Sequence, residues 1–256
     1  MTRVHVIGIG AGSPAHLTQQ AIAAMREVDV FLVADKGADR RELITIREQI
    51  CATHLEPGTY EIRALPDPAR GPDAERSGAE YRTGVVNWHE ARARAWAEAI
   101  AALPEGAVVG FLVWGDPAFY DSTLRILDQI RTQAALDVHV VPGISAFQAL
   151  AAEHQIVLHD IGAPVHITTG RRLVEEWTPD SGTVVVMLDG HLRCRDLAAD
   201  HPDLLIHWGA YIGMPQQELR SGRLGDVIDE IAELRATLRD HHGWVMDVYA
   251  LSAPPA

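Results

Sequence analysis

The sequence predicts an α/β protein made of two domains with largely parallel sheets. Short apolar runs alternate with helical patterns along the whole chain, which is typical of layered α/β folds. The 256 residues are enough for two small domains. An apolar strand runs directly into a Gly-Asp-Pro loop near 114–122, so we place the domain boundary there and expect domains at 1–114 and 115–256.

The first half of the chain alternates strands and helices in a regular order. Its strands are expected at 3–9, 28–34, 60–65 and 107–113, and its helices at 14–27, 41–52 and 78–103. Pro14 suits the first turn of a helix because its fixed φ angle is already helical. Three prolines and a glycine predict a loop over 66–76.

The second half repeats the alternation. Its helices are expected at 122–134, 144–154 and 224–239, and its strands at 137–141, 165–168, 183–188, 204–211 and 243–251. Ligands of open α/β sheets bind at the carboxyl ends of the strands. We therefore look for functional residues in the loops that directly follow strands.

The composition excludes several classes of protein. A net charge of −13 argues against a nucleic-acid partner. The longest apolar runs are far shorter than the roughly 20 residues that span a bilayer. No signal-peptide pattern precedes the first strand, so we expect a cytoplasmic protein with no membrane partner. Cys51 and Cys194 lack metal-binding spacing and predict two separate reduced thiols, and we expect no metal site.

A glycine-rich turn at 8–13 joins the first strand to the first helix. Its glycines, among them Gly10 and Gly12, allow a tight turn and close approach of a ligand. The turn is only part of a dinucleotide fingerprint, because Ser13 occupies the sixth position. Asp35, at the end of the next strand, stands where a ribose-binding acid would be, so an NAD enzyme remains an alternative. A plain strand-to-helix turn is the other interpretation.

Two later loops share this position after a strand. Gly115-Asp116-Pro117 follows the most apolar strand, and the segment 142–147 leads into a helix. Taken singly, the first could be an ordinary turn and the second an ordinary helix cap. A helix N-terminus with glycine and serine also exposes backbone donors to a ligand.

These three motifs, in this order, resemble the tetrapyrrole methylase family. The glycine turn is followed by Leu17-Thr18, the Gly-Asp-Pro loop by Tyr120, and the third motif reads Pro-Gly-Ile-Ser. The family includes corrin-ring methyltransferases of cobalamin synthesis, uroporphyrinogen methyltransferases and diphthine synthases. The resemblance implies two domains with mostly parallel or mixed sheets flanked by helices. It also implies a homodimer that holds S-adenosylmethionine in the cleft between the domains.

Other segments are similar to one branch of the family, the deacetylating precorrin-6A synthases. These segments are 35–43, 47–51, 66–88 and 244–249. The resemblance implies S-adenosylmethionine-dependent methylation of precorrin-5 at C-1 with removal of an acetyl group. The products would be precorrin-6A, S-adenosylhomocysteine and acetate.

The family pattern also assigns residues to the cofactor. The implied contacts are Gly115, Asp116, Phe119, Ser145, Ala146, Met187, Leu188 and Ala210. Without the family pattern, Met187 and Leu188 would be interpreted as core residues and Phe119 as a packing residue.

The substrate carries many carboxylates, and basic residues follow the second strand. We expect Lys36, Arg40 and Arg41 to bind some of these carboxylates, with Gly10 and Gly12 also against the substrate. A solvated basic loop is the alternative for the three basic residues.

Deacetylation needs a base for water and a donor for the oxyanion. The candidate groups are Asp35, His89, Asp116 and Tyr120, and the sequence does not choose among them. His89 lies beside a helical face formed by Trp88, Arg92 and Trp96, for which packing is favoured over substrate contact.

Two further functions stay open at this stage. One is a tetrapyrrole methylase that acts at another ring position or on a protein. The other is a non-catalytic tetrapyrrole or nucleotide carrier that keeps the glycine loops.

Overall fold

The computed structural model describes residues 1–35, 42–68 and 78–254, with the backbone alone for 78–83. The chain forms two compact units. The first comprises residues 1–10 and 14–144, and the second comprises residues 11–13 and 145–256. The division thus falls after Ile144, whereas the sequence analysis expects it after Trp114.

A five-stranded parallel sheet forms the centre of the first unit. Its strands are β1 (Thr2–Gly8), β2 (Val30–Asp35), β3 (Glu61–Pro66), β4 (Val109–Val113) and β5 (Leu136–Val141), in the order β3-β2-β4-β1-β5. Because β5 pairs with β1 along its whole length, the chain beyond Gly115 still belongs to this unit. The strands lie close to where the apolar runs predict them.

Four helices accompany this sheet: α1 (Gln19–Met25), α2 (Glu42–His54), α3 (Gly78–Ala101) and α4 (Thr123–Arg131). The helix expected at 14–27 is shorter than predicted. Pro14–His16 forms a separate 3₁₀ turn, and α1 begins only after Thr18. The Thr18 hydroxyl accepts a hydrogen bond from the backbone N–H of Ala21 at 3.0 Å, which is the action of a helix N-cap.

The side chains of β1 alternate between two hydrophobic cores, as the pleat of a strand requires. Val4 and Val6 pack with Trp96 of α3 and with residues of α4. Ile7 and Ile9 pack on the opposite face with Met25 of α1 and with residues of α2. The sheet is therefore buried on both faces, which explains why its strands are almost continuously apolar.

The second unit contains a mixed sheet. Its elements are α5 (Ala146–Glu153), β6 (Val165–Thr169), α6 (Gly170–Glu176), β7 (Thr183–Met187), α7 (Arg195–Ala198), β8 (Leu205–Ala210), β9 (Glu218–Arg223), α8 (Leu224–His242) and β10 (Asp247–Ser252). The strand order is β6-β7-β10-β8-β9. β6 and β7 are parallel, whereas β10 is antiparallel to both β7 and β8.

Three elements, α6, α7 and β9, are not predicted by the sequence pattern. β9 reads Glu-Leu-Arg-Ser-Gly-Arg, and among the described strands it pairs with β8 alone, at the edge of the sheet, so it carries no apolar run. α6 and α7 are too short to establish a helical period. Within the described ranges, no helix is long and apolar enough to cross a membrane.

We expect His5 of β1 to make the first unit sensitive to acid. Burial lowers the pKa of His5, and His139 and Arg3 lower it further, while Glu27 opposes them. The unfolded chain therefore binds a proton more readily, and stability is lost as pH falls below about 6.5 towards the lowered pKa. The free energy of unfolding of His5→Gln, measured from pH 8 to 5, should fall less than that of the unchanged protein. Equal losses would contradict this role.

Candidate active site

Three glycine backbones meet where β1, β4 and β5 end. A Cβ atom on Gly143 would lie 2.1 Å from the carbonyl oxygen of Gly115. A Cβ atom on Gly8 would lie 2.6 Å from the backbone nitrogen of Gly143. Gly10 and Gly115 also exchange backbone hydrogen bonds, at 3.3 and 2.8 Å. This edge of the sheet is built by glycines because only glycine permits such close approach of main chains.

Asp116 ties two of these loops together. One carboxylate oxygen accepts a hydrogen bond from the backbone N–H of Ala118, and the other accepts from the N–H of Gly143, both at 2.8 Å. The loop then ends in Tyr120, which is exposed and has a φ angle of 52°. A bulky residue with such a φ angle is unusual and is held there by its surroundings. Asp116 therefore positions the loop that presents Phe119 and Tyr120.

The other sequence candidates of the first unit are spread along this edge and α3. Asp35 ends β2 with an exposed side chain, and its carbonyl oxygen accepts from the N–H of Asp67 at 3.0 Å. Lys36, Arg40 and Arg41 lie outside the described residues. His89 is buried on α3 beside the ring of Trp88.

A buried ion pair beside His89 was not found from the sequence. The guanidinium of Arg92 donates to both carboxylate oxygens of Asp67, at 2.9 and 2.7 Å. The same guanidinium lies 4.0 Å from the ring centre of Trp88, whose indole N–H donates to the carbonyl of Pro68. The helical spacing of Trp88, Arg92 and Trp96 predicts a packed face on α3. In the structure this face packs on Asp67 and Pro68, which follow β3.

In the second unit, predicted cofactor residues gather at one edge of the sheet. Met187 of β7 is paired with Val248 of β10, and Ala210 of β8 is paired with the neighbouring Asp247. The strands β7 and β8 therefore end at the same edge. Gly12 lies there too, since a Cβ atom on it would be 3.2 Å from the carbonyl oxygen of Ile212.

Helix α5 directs its N-terminus towards this edge. Along the helix, Leu150 approaches Gly209, and Nε2 of His154 donates to the carbonyl of Trp208, so α5 runs back along β8. Ser145 precedes the helix, and its backbone N–H donates to the side chain of Gln148 at 2.9 Å. The Ser145 side chain is buried at the N-terminus of the helix, where it forms a capping box with Gln148.

Leu188, directly after β7, has two features of a ligand-contacting residue. Its φ angle is 53°, which is strained for a leucine, and its exposed fraction is 67%. A large apolar side chain held in this conformation in solvent is not explained by core packing. Among the described residues, no group of three His, Cys, Asp or Glu side chains could hold a metal ion.

Comparison with known proteins decides the family. The model of the tetrapyrrole (corrin/porphyrin) methylases matches residues 3–228. The chain belongs to this family. This tetrapyrrole methylase is 40% identical to a precorrin-6A synthase (deacetylating) from Sinorhizobium sp. The match covers 98% of this chain and 95% of the relative.

Solved structures support the fold of this tetrapyrrole methylase. A protein from Corynebacterium diphtheriae, described as related to cobalamin synthesis, superposes with a TM-score of 0.82 at 40% identity, covering 98% and 99% of the two chains. A uroporphyrin-III-C-methyltransferase from Thermus thermophilus superposes with a TM-score of 0.60 at 20% identity, covering 98% and 92%. One parallel and one mixed sheet, each flanked by helices, confirm the fold class that the motifs at 8–13, 115–117 and 142–145 imply.

Behind Leu188, a buried polar network holds the loop of this tetrapyrrole methylase. Asp189 accepts hydrogen bonds from the hydroxyl of Tyr249 and the backbone N–H of Arg193, both at 2.6 Å. Arg235 donates to the carbonyl of Asp189 at 2.5 Å and to the carboxylate of Asp247 at 2.8 Å. Burial raises the pKa of Asp247, and Arg235 opposes that rise.

Proposed function

We propose that this tetrapyrrole methylase is a deacetylating precorrin-6A synthase. It would transfer a methyl group from S-adenosylmethionine to C-1 of precorrin-5 and release the acetyl group as acetate. The observation that carries this proposal is the 40% identity over nearly the full length of both chains to a protein with that name.

Action at another ring position has weaker support. A precorrin-2 C(20)-methyltransferase from Sinorhizobium sp is 30% identical but over only 55% of this chain and 53% of its own. A non-catalytic carrier would not require the strained, exposed conformations of Tyr120 and Leu188, which are typical of functional sites.

The residues at the edge of the second sheet fit S-adenosylmethionine. The buried hydroxyl of Ser145 has a proton to donate, and the exposed side chain of Leu188 offers an apolar surface. When bound, S-adenosylmethionine supplies a methyl group activated by a positively charged sulfur. The chain's own contribution is to orient the ring carbon and to exclude water, since the displacement needs close, in-line reactants.

Replacing Leu188 with glycine should separate cofactor binding from stability. Glycine adopts a φ of 53° without the strain of about 1–2 kcal/mol that a leucine carries, so the free energy of unfolding should not fall. The affinity for S-adenosylmethionine, measured by calorimetry, should fall by roughly tenfold because an apolar contact is lost.

Gln155→Gly is the matched control for that variant. Gln155 is also exposed and has a φ angle of 55°, but it follows α5 at the opposite end from Ser145. Its replacement should leave the affinity for S-adenosylmethionine unchanged. Unchanged affinity in Leu188→Gly as well would exclude Leu188 from the cofactor site.

The deacetylation step needs one base and one oxyanion donor. Water adds to the acetyl carbonyl, the bond between that carbon and C-1 breaks, and its electron pair stays on C-1, which then takes the methyl group. We assign the base to Asp35, because its side chain is exposed at the carboxyl end of β2, whereas the carboxylate of Asp116 holds the backbone at Ala118 and Gly143. The exposed hydroxyl of Tyr120 would be the donor.

Asp35→Asn tests that assignment. The amide cannot take the proton of water, so release of acetate should slow by roughly 10²–10⁴-fold. Asp128→Asn, a change of an exposed carboxylate on α4, is the control and should leave the rate unchanged. An undiminished rate in Asp35→Asn would show that another group is the base.

The proposed function as a whole is tested with a pair of ring substrates. Precorrin-5 and precorrin-2 are each incubated with methyl-labelled S-adenosylmethionine, and the label in the ring is measured. Label is expected only with precorrin-5. Label in precorrin-2 alone would favour the other ring position, and binding without transfer would favour a carrier.

A further inference from the structure

Arg47 of α2 carries a half-buried charge that has no carboxylate partner among the described residues. Its guanidinium donates through Nε to the carbonyl of Leu112 at 3.0 Å and through Nη1 to the carbonyl of Leu43 at 2.8 Å. Among the described residues, no carboxylate lies within ion-pair distance of it, although Asp121 acts on it at longer range. A desolvated cation without a partner is costly, and such groups are concentrated at ligand sites.

The guanidinium of Arg47 lies over the ring of Trp114, the residue between the end of β4 and Gly115. Its central carbon lies 5.1 Å from the centre of the indole ring. The indole N–H of Trp114 is buried and has no hydrogen-bond partner in the described part of the chain. The guanidinium of Arg47 and the indole N–H of Trp114 are thus neighbouring hydrogen-bond donors. Among the described residues, no side chain accepts a hydrogen bond from either.

Both residues lie at the functional edge of the first sheet. Leu112 is the penultimate residue of β4, and Leu43 is in the first turn of α2, which begins after the carboxyl end of β2. Neither Arg47 nor Trp114 is fully covered, since each keeps a partly exposed surface. Burial lowers the pKa of Arg47 to about 10, so the side chain stays charged at neutral pH.

Charge and geometry together define the ligand class. A carboxylate is the group that pairs best with a guanidinium, and the contacts of Nε and Nη1 with backbone carbonyls hold this guanidinium in one orientation. The carboxylate of Asp121 does not fill this role, because it acts on Arg47 only at longer range than an ion pair, and it accepts instead from the backbone N–H of Thr123 at 2.7 Å.

We propose that Arg47, oriented by Trp114, binds a peripheral carboxylate of the corrin substrate. This proposal rests on the proposed function, because precorrin-5 is the substrate that carries such carboxylates. Arg47 would thus be a substrate-binding residue in addition to Lys36, Arg40 and Arg41. Its side chain is fixed by backbone contacts on α2 and β4 before the substrate arrives.

Steady-state kinetics with Arg47→Met and Arg47→Gln tests the proposal. The KM for precorrin-5 should rise roughly 10- to 100-fold, as expected for a lost charge-assisted hydrogen bond. The affinity for S-adenosylmethionine and the kcat at saturating precorrin-5 should stay within about twofold, which a loss of overall structure would not produce. Arg125→Met, a change of an exposed arginine on α4, is the matched control and should leave KM unchanged.

Several results would overturn the proposal. One is an unchanged KM in a folded Arg47→Met or Arg47→Gln protein. Failure of both variants to fold would also overturn it, because it would assign Arg47 to structure alone. These outcomes differ from failure of the proposed function, in which the unchanged protein would not methylate precorrin-5 at all.

Discussion

Replacing Gly143 with alanine will destabilise the first unit by about 3 kcal/mol or more, because the new Cβ atom collides with main chain on two sides. It would lie 2.1 Å from the carbonyl oxygen of Gly115 and 2.8 Å from two backbone carbons of Gly8. Backbone atoms cannot rotate away as a side chain can. The change would also displace the N–H of Gly143 from the carboxylate of Asp116.

Gly190→Ala is the control for that collision. Nothing lies within 4 Å of a Cβ atom at Gly190, and its φ angle is not in the left-handed region. Denaturant unfolding followed by circular dichroism should show a large loss for Gly143→Ala and a change within about 0.5 kcal/mol for Gly190→Ala. Similar stabilities for the two variants would mean that the glycine contacts at 8, 115 and 143 do not exist as described.

The second large effect is expected for Arg235→Met. This change should lower the free energy of unfolding by about 3–5 kcal/mol, because it removes the cation that pairs with the buried carboxylate of Asp247. The side chains of Arg235 and Asp247 are 8% and 4% exposed. Without Arg235, the carbonyls of Asp189 and Gly190 would also lose a donor. We expect the loop after Leu188 to lose its fixed conformation and the affinity for S-adenosylmethionine to fall with it.

The cost of Arg235→Met should depend on pH. Burial already raises the pKa of Asp247, and removal of the cation that opposes this rise raises it further. The folded variant then binds a proton more readily than the unfolded chain. Its loss in free energy of unfolding, relative to the unchanged protein, should therefore be smaller at pH 5 than at pH 8.

Arg223→Met is the control, because its ion pair with Asp203 is largely exposed and is worth at most about 1 kcal/mol. Equal losses in the two variants would contradict the special role of the buried pair.

Local pattern was sufficient to predict most of the fold. The strand β4 and the strand β7 are short apolar runs between helical patterns, so their type and position follow from hydrophobicity. The strand β9 could not be recognised in this way, because an edge strand with polar side chains is specified by its pairing with β8. The extent of the first unit likewise depends on the pairing of β5 with β1, which no local signal reveals.

In the candidate site, too, the sequence predicts the features that depend on local residues and not those that depend on distant contacts. Glycine and proline mark the loops at 8–13, 115–117 and 142–145 because these residues are required where backbones turn or approach closely. The partners of Asp189 and Asp247 were not recognised. Tyr249 lies 60 positions from Asp189, and the pairing is made only by folding of the second sheet. Arg47 was included in a family-like segment, but the sequence does not show that no described carboxylate pairs with it, because that depends on the three-dimensional structure.

The stoichiometry of acetate and methyl tests the central claim most directly. The protein is mixed in excess with precorrin-5 and S-adenosylmethionine labelled in the methyl group, and acetate, ring-bound label and its ring position are measured over a single turnover. The account predicts one acetate released for each methyl group bound, with the label at C-1. Methyl transfer without acetate, or label at a different ring carbon, would contradict it.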